Sequence, residues 1–194
     1  IAISESDPNV IYIATGDQNG SWMTRGYSIG IIKSIDGGLT WERTELSRVI
    51  QNRKLIGRIL VHPEDPDIVI AGTGDGIYIT EDGGDTWEQS VSNDFFRDME
   101  MHPTNPGIIY AAGTSNSGTR IIRSIDSGKT FQQIYFVSQS NRIELAVTEA
   151  APDNIYALAS SRQDNGFYGF YRSENKGSTW DRRSTSPNIL SINP

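Results

Sequence analysis

Four segments of the chain share one pattern at near-constant spacing, and this repeat limits the fold more than any other feature. The first runs through Ser34, Asp36, Gly38, Thr40 and Trp41, the second through Thr80, Asp82, Gly84, Thr86 and Trp87. The third runs through Ser124, Asp126, Gly128, Thr130 and Phe131, the fourth through Ser173, Asn175, Gly177, Thr179 and Trp180. Their first positions lie 46, 44 and 49 residues apart. One such match carries little weight. Four in phase mark a repeat architecture, in which each unit buries its apolar surface against its neighbours.

A second signature precedes each box. A short apolar strand enters a turn carrying Pro8, Pro66, Pro106 or Pro152, and a second strand then runs through Tyr12, Ile70, Tyr110 or Tyr156. Each repeat therefore reads as four strands, A to D, placed in the second repeat at about 57–62, 68–73, 76–80 and 86–90. The apolar alternation has period two throughout. Four-stranded units of this length mark propeller blades. The expected fold is all-β: four four-stranded antiparallel blades, part of a larger propeller. The blades fall at approximately 1–46, 57–92, 97–137 and 142–185 of one segment, 1–194, with 186–194 opening a linker or a next blade.

Composition agrees. Glycine makes up 19 of 194 residues, which suits many short strands joined by tight turns. The net charge of −7 argues against a nucleic-acid partner, since phosphate binding needs a basic stripe. No apolar run is long enough for a membrane span. No cofactor or metal site is expected: cysteine is absent, and no calcium-loop spacing occurs. Ile1 opens an alternating strand rather than a signal peptide, as in a mature or trimmed chain.

The box itself reads as scaffold. Its Asp accepts hydrogen bonds from nearby backbone N–H groups and hydroxyls, its Gly permits positive φ, and its aromatic residue, one place into strand D, packs between sheets. Asn175 in an Asp position fits hydrogen bonding better than acid–base chemistry.

The boxes and the strand–turn–strand before them resemble the Asp-box (BNR-repeat) propeller superfamily. The sequence is most similar to its sortilin-like and xyloglucanase-like branch and to large secreted bacterial repeat proteins of the type IX secretion kind. That resemblance implies a secreted or cell-surface bacterial protein that binds carbohydrate, protein or peptide, alongside the remaining blades of the same or a partner chain. The alternatives it implies are a glycoside hydrolase fragment, xyloglucanase-like or sialidase-like, and a sortilin-like peptide receptor.

A site is expected where the repeat fails. The A–B and C–D turns share one face of the layout, and the B–C and D–A loops share the other. The interval from proline to box is 26, 14, 18 and 21 residues, so the first repeat holds the long B–C insertion. There Trp22 and Tyr27 could stack on a sugar or peptide, while Asp17, Asn19 and Arg25 supply hydrogen bonds. Arg162, Asp164 and Asn165 offer the same face in the fourth repeat. The resemblance makes Asp17 and Asp75 weak candidates for catalytic acids, since xyloglucanases carry one at this phase. Yet Asp75 stands between two glycines, the mark of a hairpin turn. Arg58, Arg97 and Arg142 come at different phases before strand A and match a sialidase arginine triad poorly. His62 and His102 share one phase before prolines and read as structural.

Overall fold

A computed structural model of the chain describes residues 1–16, 28–46 and 55–190. The described residues form sixteen strands in four sheets, each a four-stranded antiparallel meander taken in chain order. The first blade comprises β1 (Ala2–Ile3), β2 (Ile11–Ala14), β3 (Ile31–Ser34) and β4 (Glu42–Arg43). The second comprises β5 (Ile56–Val61), β6 (Val69–Thr73), β7 (Gly76–Thr80) and β8 (Glu88–Ser92). The third comprises β9 (Phe95–Met101), β10 (Ile109–Ser115), β11 (Gly118–Ser124) and β12 (Gln132–Val137). The fourth comprises β13 (Ser140–Val147), β14 (Ile155–Ser161), β15 (Phe167–Ser173) and β16 (Asp181–Ser184). The chain divides into two compact units, Ile1–Arg97 and Asp98–Pro194.

Each unit has its own core. In the first, Tyr12 and Ile31 pack with Ile59, Val69, Ala71 and Tyr78, so the core lies between the first and second sheets. In the second, Tyr110, Ala112 and Ile121 pack with Leu145, Ile155 and Ala157. Side chains alternate across each strand, which lets a sheet be apolar on both faces. β6 and β7 are buried along their whole length, on both faces. In β14 only one face is buried, through Ile155, Ala157 and Ala159, while Tyr156, Leu158 and Ser160 stay half-buried.

The turn end of every blade is clasped. The residue one place after each box's Asp or Asn donates its backbone N–H to the proline turn. The pairs are Gly37 to Asn9, Gly83 to Asp67, Ser127 to Gly107 and Lys176 to Asp153, at 2.9–3.0 Å. Within the box the hydroxyl of Ser34 donates to Asp36 Oδ1 (2.7 Å) and accepts from the Gly38 N–H (2.9 Å). Asp36 in turn accepts from the Thr40 N–H and hydroxyl. Thr80/Asp82/Thr86 and Ser124/Asp126/Thr130 repeat this network. In the fourth box Ser173 and Asn175 hold the same backbone bonds, but the Asn175 amide donates to Thr179 Oγ1 instead of accepting from it. The four box glycines, Gly38, Gly84, Gly128 and Gly177, all have φ between +84° and +102°, which only glycine adopts at no steric cost.

Strand D differs from expectation. It begins one residue after the box aromatic, at Glu42, Glu88, Gln132 and Asp181. The cause is local: the box Thr N–H is taken by the Asp or Asn side chain, so the ladder starts only once that wrap is complete. The aromatic residue instead closes the turn, since Trp41, Trp87 and Trp180 each donate Nε1–H to the carbonyl of their own box glycine. Packing between sheets holds for Trp180, stacked on Tyr135 of the third blade at 5.2 Å, and for Trp87, which joins the core of the first unit. Trp41 departs from it and is 37% exposed.

The box carboxylates predict an acid response. Hydrogen bonds from the Thr40 hydroxyl and N–H and from Ser34 lower the Asp36 pKa to about 2. Partial burial pushes Asp82 up, but bonds from Thr86 and Thr80 outweigh it and leave that pKa also at about 2. Asp126 is lowered by the same set against the same opposing burial. A folded pKa below the unfolded value contributes stability that is complete above about pH 4 and lost as pH falls toward 2. The denaturation midpoint should therefore drop across that window. Asp82→Asn, which gives the second box the chemistry of the fourth, should flatten the drop. An unchanged pH profile in that variant would count against this account.

Candidate functional site

Asp17, Asn19, Trp22, Arg25 and Tyr27 lie outside the described residues. Thr15 and Ser28 form the stem of their insertion. Thr15 Oγ1 donates to the Gly30 carbonyl (2.8 Å) and accepts from the Ile29 N–H (2.8 Å), and it meets Ser28 Oγ at 3.3 Å. Gly16 then turns the chain at φ +97°. Beside this stem is a cavity of about 400 Å³, lined by Ile1, Ala14 and Gly16 of the first blade and by Ile56, Gly57, Arg58 and Ile59 of the second. Arg58 is the exposed charged member of that lining. The insertion therefore leaves the fold at the rim of a cavity holding a guanidinium, a group suited to hydroxyls and carboxylates.

Asp75 has a clear structural task. It sits in the β6–β7 turn, accepting from Thr73 Oγ1 at 2.8 Å and from the Tyr78 hydroxyl at 3.2 Å. Burial, with the Asp75 charge beside it, raises the Tyr78 pKa to about 12, which keeps that hydroxyl a donor.

The fourth blade brings Arg162, Asp164 and Asn165 into one turn, where each makes hydrogen bonds within the fold. Asp164 accepts from the Gly166 N–H (3.0 Å), and the Ser161 hydroxyl, then that N–H, lower its pKa. Arg162 donates to the Ser115 carbonyl of the third blade (3.2 Å). Asn165, at φ +59°, accepts from the Asn141 amide (2.5 Å), and Asn141 Oδ1 accepts from Ser160 (2.5 Å). Sequence reasoning missed Asn141 and Ser160, because neither breaks the repeat.

The arginines lie inside strand A rather than before it, each the third residue of its strand, β5, β9 or β13. Arg142 pairs with Glu144 (2.5 Å), and Arg97 lies over the Phe95 ring at 4.5 Å. His62 and His102 each accept a turn N–H on Nδ1, from Glu64 and Thr104. Among the described residues no group of three or more His, Asp or Glu could hold a metal ion, and no helix is long and apolar enough to cross a membrane.

No family model matches the chain. A xyloglucanase of Acetivibrio thermocellus is 28% identical over 163 residues, which cover 69% of this chain and 19% of that enzyme. A xyloglucanase of Hypocrea jecorina is 28% identical over 117 residues, covering 58% of this chain and 13% of its own. The chain thus spans about a fifth or less of the length of these relatives. Among solved structures, the GH74 xyloglucanase of Xanthomonas campestris matches with a TM-score of 0.71 at 13% identity, covering 93% of this chain and 29% of that one. The GH74 enzyme of Niastella koreensis matches at 0.68 and 19% identity, again covering 93% and 29%. The sheets are β-propeller blades.

Proposed function

We propose that the chain is a segment of an Asp-box β-propeller that binds carbohydrate at its B–C loop face without cleaving it, in a secreted or cell-surface bacterial protein. The observation that carries the non-catalytic part is the Asp75 carboxylate, held by Thr73 and Tyr78 of its own hairpin. Glycosidic cleavage takes two carboxylates flanking the sugar, and Asp75 serves the turn. The similarity to xyloglucanases points to a β-glucan such as xyloglucan as ligand. Trp22 and Tyr27 would stack on sugar rings while Arg58 at the cavity rim meets their hydroxyls.

That same similarity favours a second reading, a fragment of a glycoside hydrolase with Asp17 as its acid. Titration with xyloglucan oligosaccharides, run alongside a reducing-sugar assay, separates the two. Saturable binding is expected, weakened about tenfold, or roughly 1.4 kcal/mol, by Trp22→Ala, with no sugar released. Release of reducing ends that disappears in Asp17→Ala would replace the binding reading with the hydrolase one.

A further inference from the structure

One set of repeat positions carries acceptors in the first unit and donors in the second. In the first unit Tyr78 on β7 pairs across the ladder with Gln89 on β8. Gly76 makes room for the Gln89 amide, since a Cβ there would stand 2.8 Å from Nε2. Asp75, five residues before its box, satisfies both neighbours. Its carboxylate accepts from the Tyr78 hydroxyl (3.2 Å) and its carbonyl accepts from the Gln89 amide (3.1 Å). Four residues past its own box aromatic, the first blade carries a second acid, Glu45.

In the second unit Tyr171 on β15 pairs with Arg182 on β16, in the places of Tyr78 and Gln89. Gly169 stands where Gly76 does, and a Cβ on it would lie 2.7 Å from Arg182 Nε. Tyr168 replaces Asp75, and Tyr135 on β12 replaces Glu45. These four side chains converge. Arg182 Cζ is 4.5 Å from the centre of the Tyr168 ring and 5.7 Å from that of Tyr171, and Tyr135 meets Tyr171 edge-on at 5.6 Å. The guanidinium donates to the Tyr168 carbonyl. Otherwise the polar ends are unspent: among the described residues the hydroxyls of Tyr135, Tyr168 and Tyr171 have no hydrogen-bond partner, and Arg182 pairs with no carboxylate. Burial raises the Tyr171 pKa to about 12 and raises that of Tyr135, against the opposing Arg182 charge, so both hydroxyls keep their protons. Tyr135 and Tyr168 are half-buried and Arg182 is exposed, so solvent reaches the group.

We infer that this seam, formed wholly within the second unit by β12, β15 and β16, is a further ligand site for a carboxylate-bearing sugar, a uronic acid residue. A guanidinium among phenol donors, with no acid of its own, suits an anion. The rings add apolar surface for the C–H face of a pyranose, and separate phenols suit the hydroxyls beside its carboxylate. Arg182 would take the carboxylate, and Tyr168 and Tyr171 the hydroxyls. In the first unit the Asp75 carboxylate itself fills the place beside Tyr78.

Calorimetric titration with glucuronic acid oligosaccharides, and with cello-oligosaccharides of equal length, tests this. The acidic sugar should bind about tenfold tighter or more. Arg182→Gln, which supplies the side chain found at Gln89, should weaken its binding about tenfold or more. Tyr168→Phe and Tyr171→Phe should each weaken it about threefold or more. Melting temperatures should stay unchanged in both phenylalanine variants, because these hydroxyls hold nothing within the protein. Trp22→Ala should leave uronate binding intact, which separates this site from the one at the B–C loop face. Four results each overturn the proposal: no uronate binding, equal binding of the neutral sugar or of a glutamate-rich peptide, binding indifferent to Arg182→Gln and the phenylalanine variants, or binding lost only together with the melting temperature.

Discussion

Gly84→Ala should be among the most damaging single-methyl changes in this protein, while the same change at Gly38 should be mild. Both glycines hold positive φ, +102° and +91°, so both substitutions incur the left-handed backbone cost of about 1–2 kcal/mol. Their surroundings differ. A Cβ on Gly84 would stand 2.6 Å from Thr44 Cγ2 and 2.8 Å from Thr44 Cβ. The second of these atoms is fixed to the backbone, so a rotamer change cannot clear the clash, and the blades must separate. Overpacking of this kind costs a further ~1–3 kcal/mol. Gly38 offers ordinary contacts at 3.4 and 3.9 Å instead. The expected losses are about 2–5 kcal/mol for Gly84→Ala and about 1–2 for Gly38→Ala. Urea denaturation of the two variants measures the difference. Equal losses would show that blade-on-blade packing at the box glycine contributes nothing.

The contrast between these glycines shows what the sequence could and could not reveal. The turn chemistry of each box was legible, because Ser34, Asp36 and Gly38 act on neighbours within a few residues. The four-strand unit was legible from the two-residue alternation. The start of strand D was not, because the Asp side chain's hold on the Thr N–H competes with the ladder, and composition does not reveal the winner. Asp75 read correctly as a turn residue because Gly74 and Gly76 flank it. Arg162, Asp164 and Asn165 broke the repeat and so stood out as ligand candidates, while their hydrogen bonds to Ser115, Gly166 and Asn141 were not visible in the sequence. Identifying a break in a repeat does not say whether the new side chains face inward or outward. Residues that join blades were the hardest to see. Tyr12 and Lys33 look ordinary in their strands, and their partners lie 54 and 34 residues away.

Asp98 is the strongest case of such a hidden tie, and Asp98→Ala should rank beside Gly84→Ala in cost. In sequence it is one charge within Phe95–Met101, three residues before the end of its strand, where β5 has Arg58 and β13 has Glu144. In the structure it is 5% exposed, and its Oδ2 accepts the Leu145 N–H at 2.6 Å. β13 is the first strand of its sheet and has one hydrogen-bonding edge outside the ladder. An edge buried against another sheet needs partners, since a buried N–H left alone costs about 1–3 kcal/mol. The Asp98 carboxylate supplies one, and a charged acceptor makes the bond stronger than a neutral one. Alanine would remove the acceptor, leave Leu145 N–H buried and open a small void, for an expected loss of about 2–3 kcal/mol. Asp98→Asn keeps a carbonyl oxygen at the same place and should lose about half as much. Hydrogen exchange at the Leu145 amide reports the bond directly. It should accelerate in Asp98→Ala far more than the amides of the fourth box, and uniform acceleration across the blade would assign the loss to general destabilisation instead.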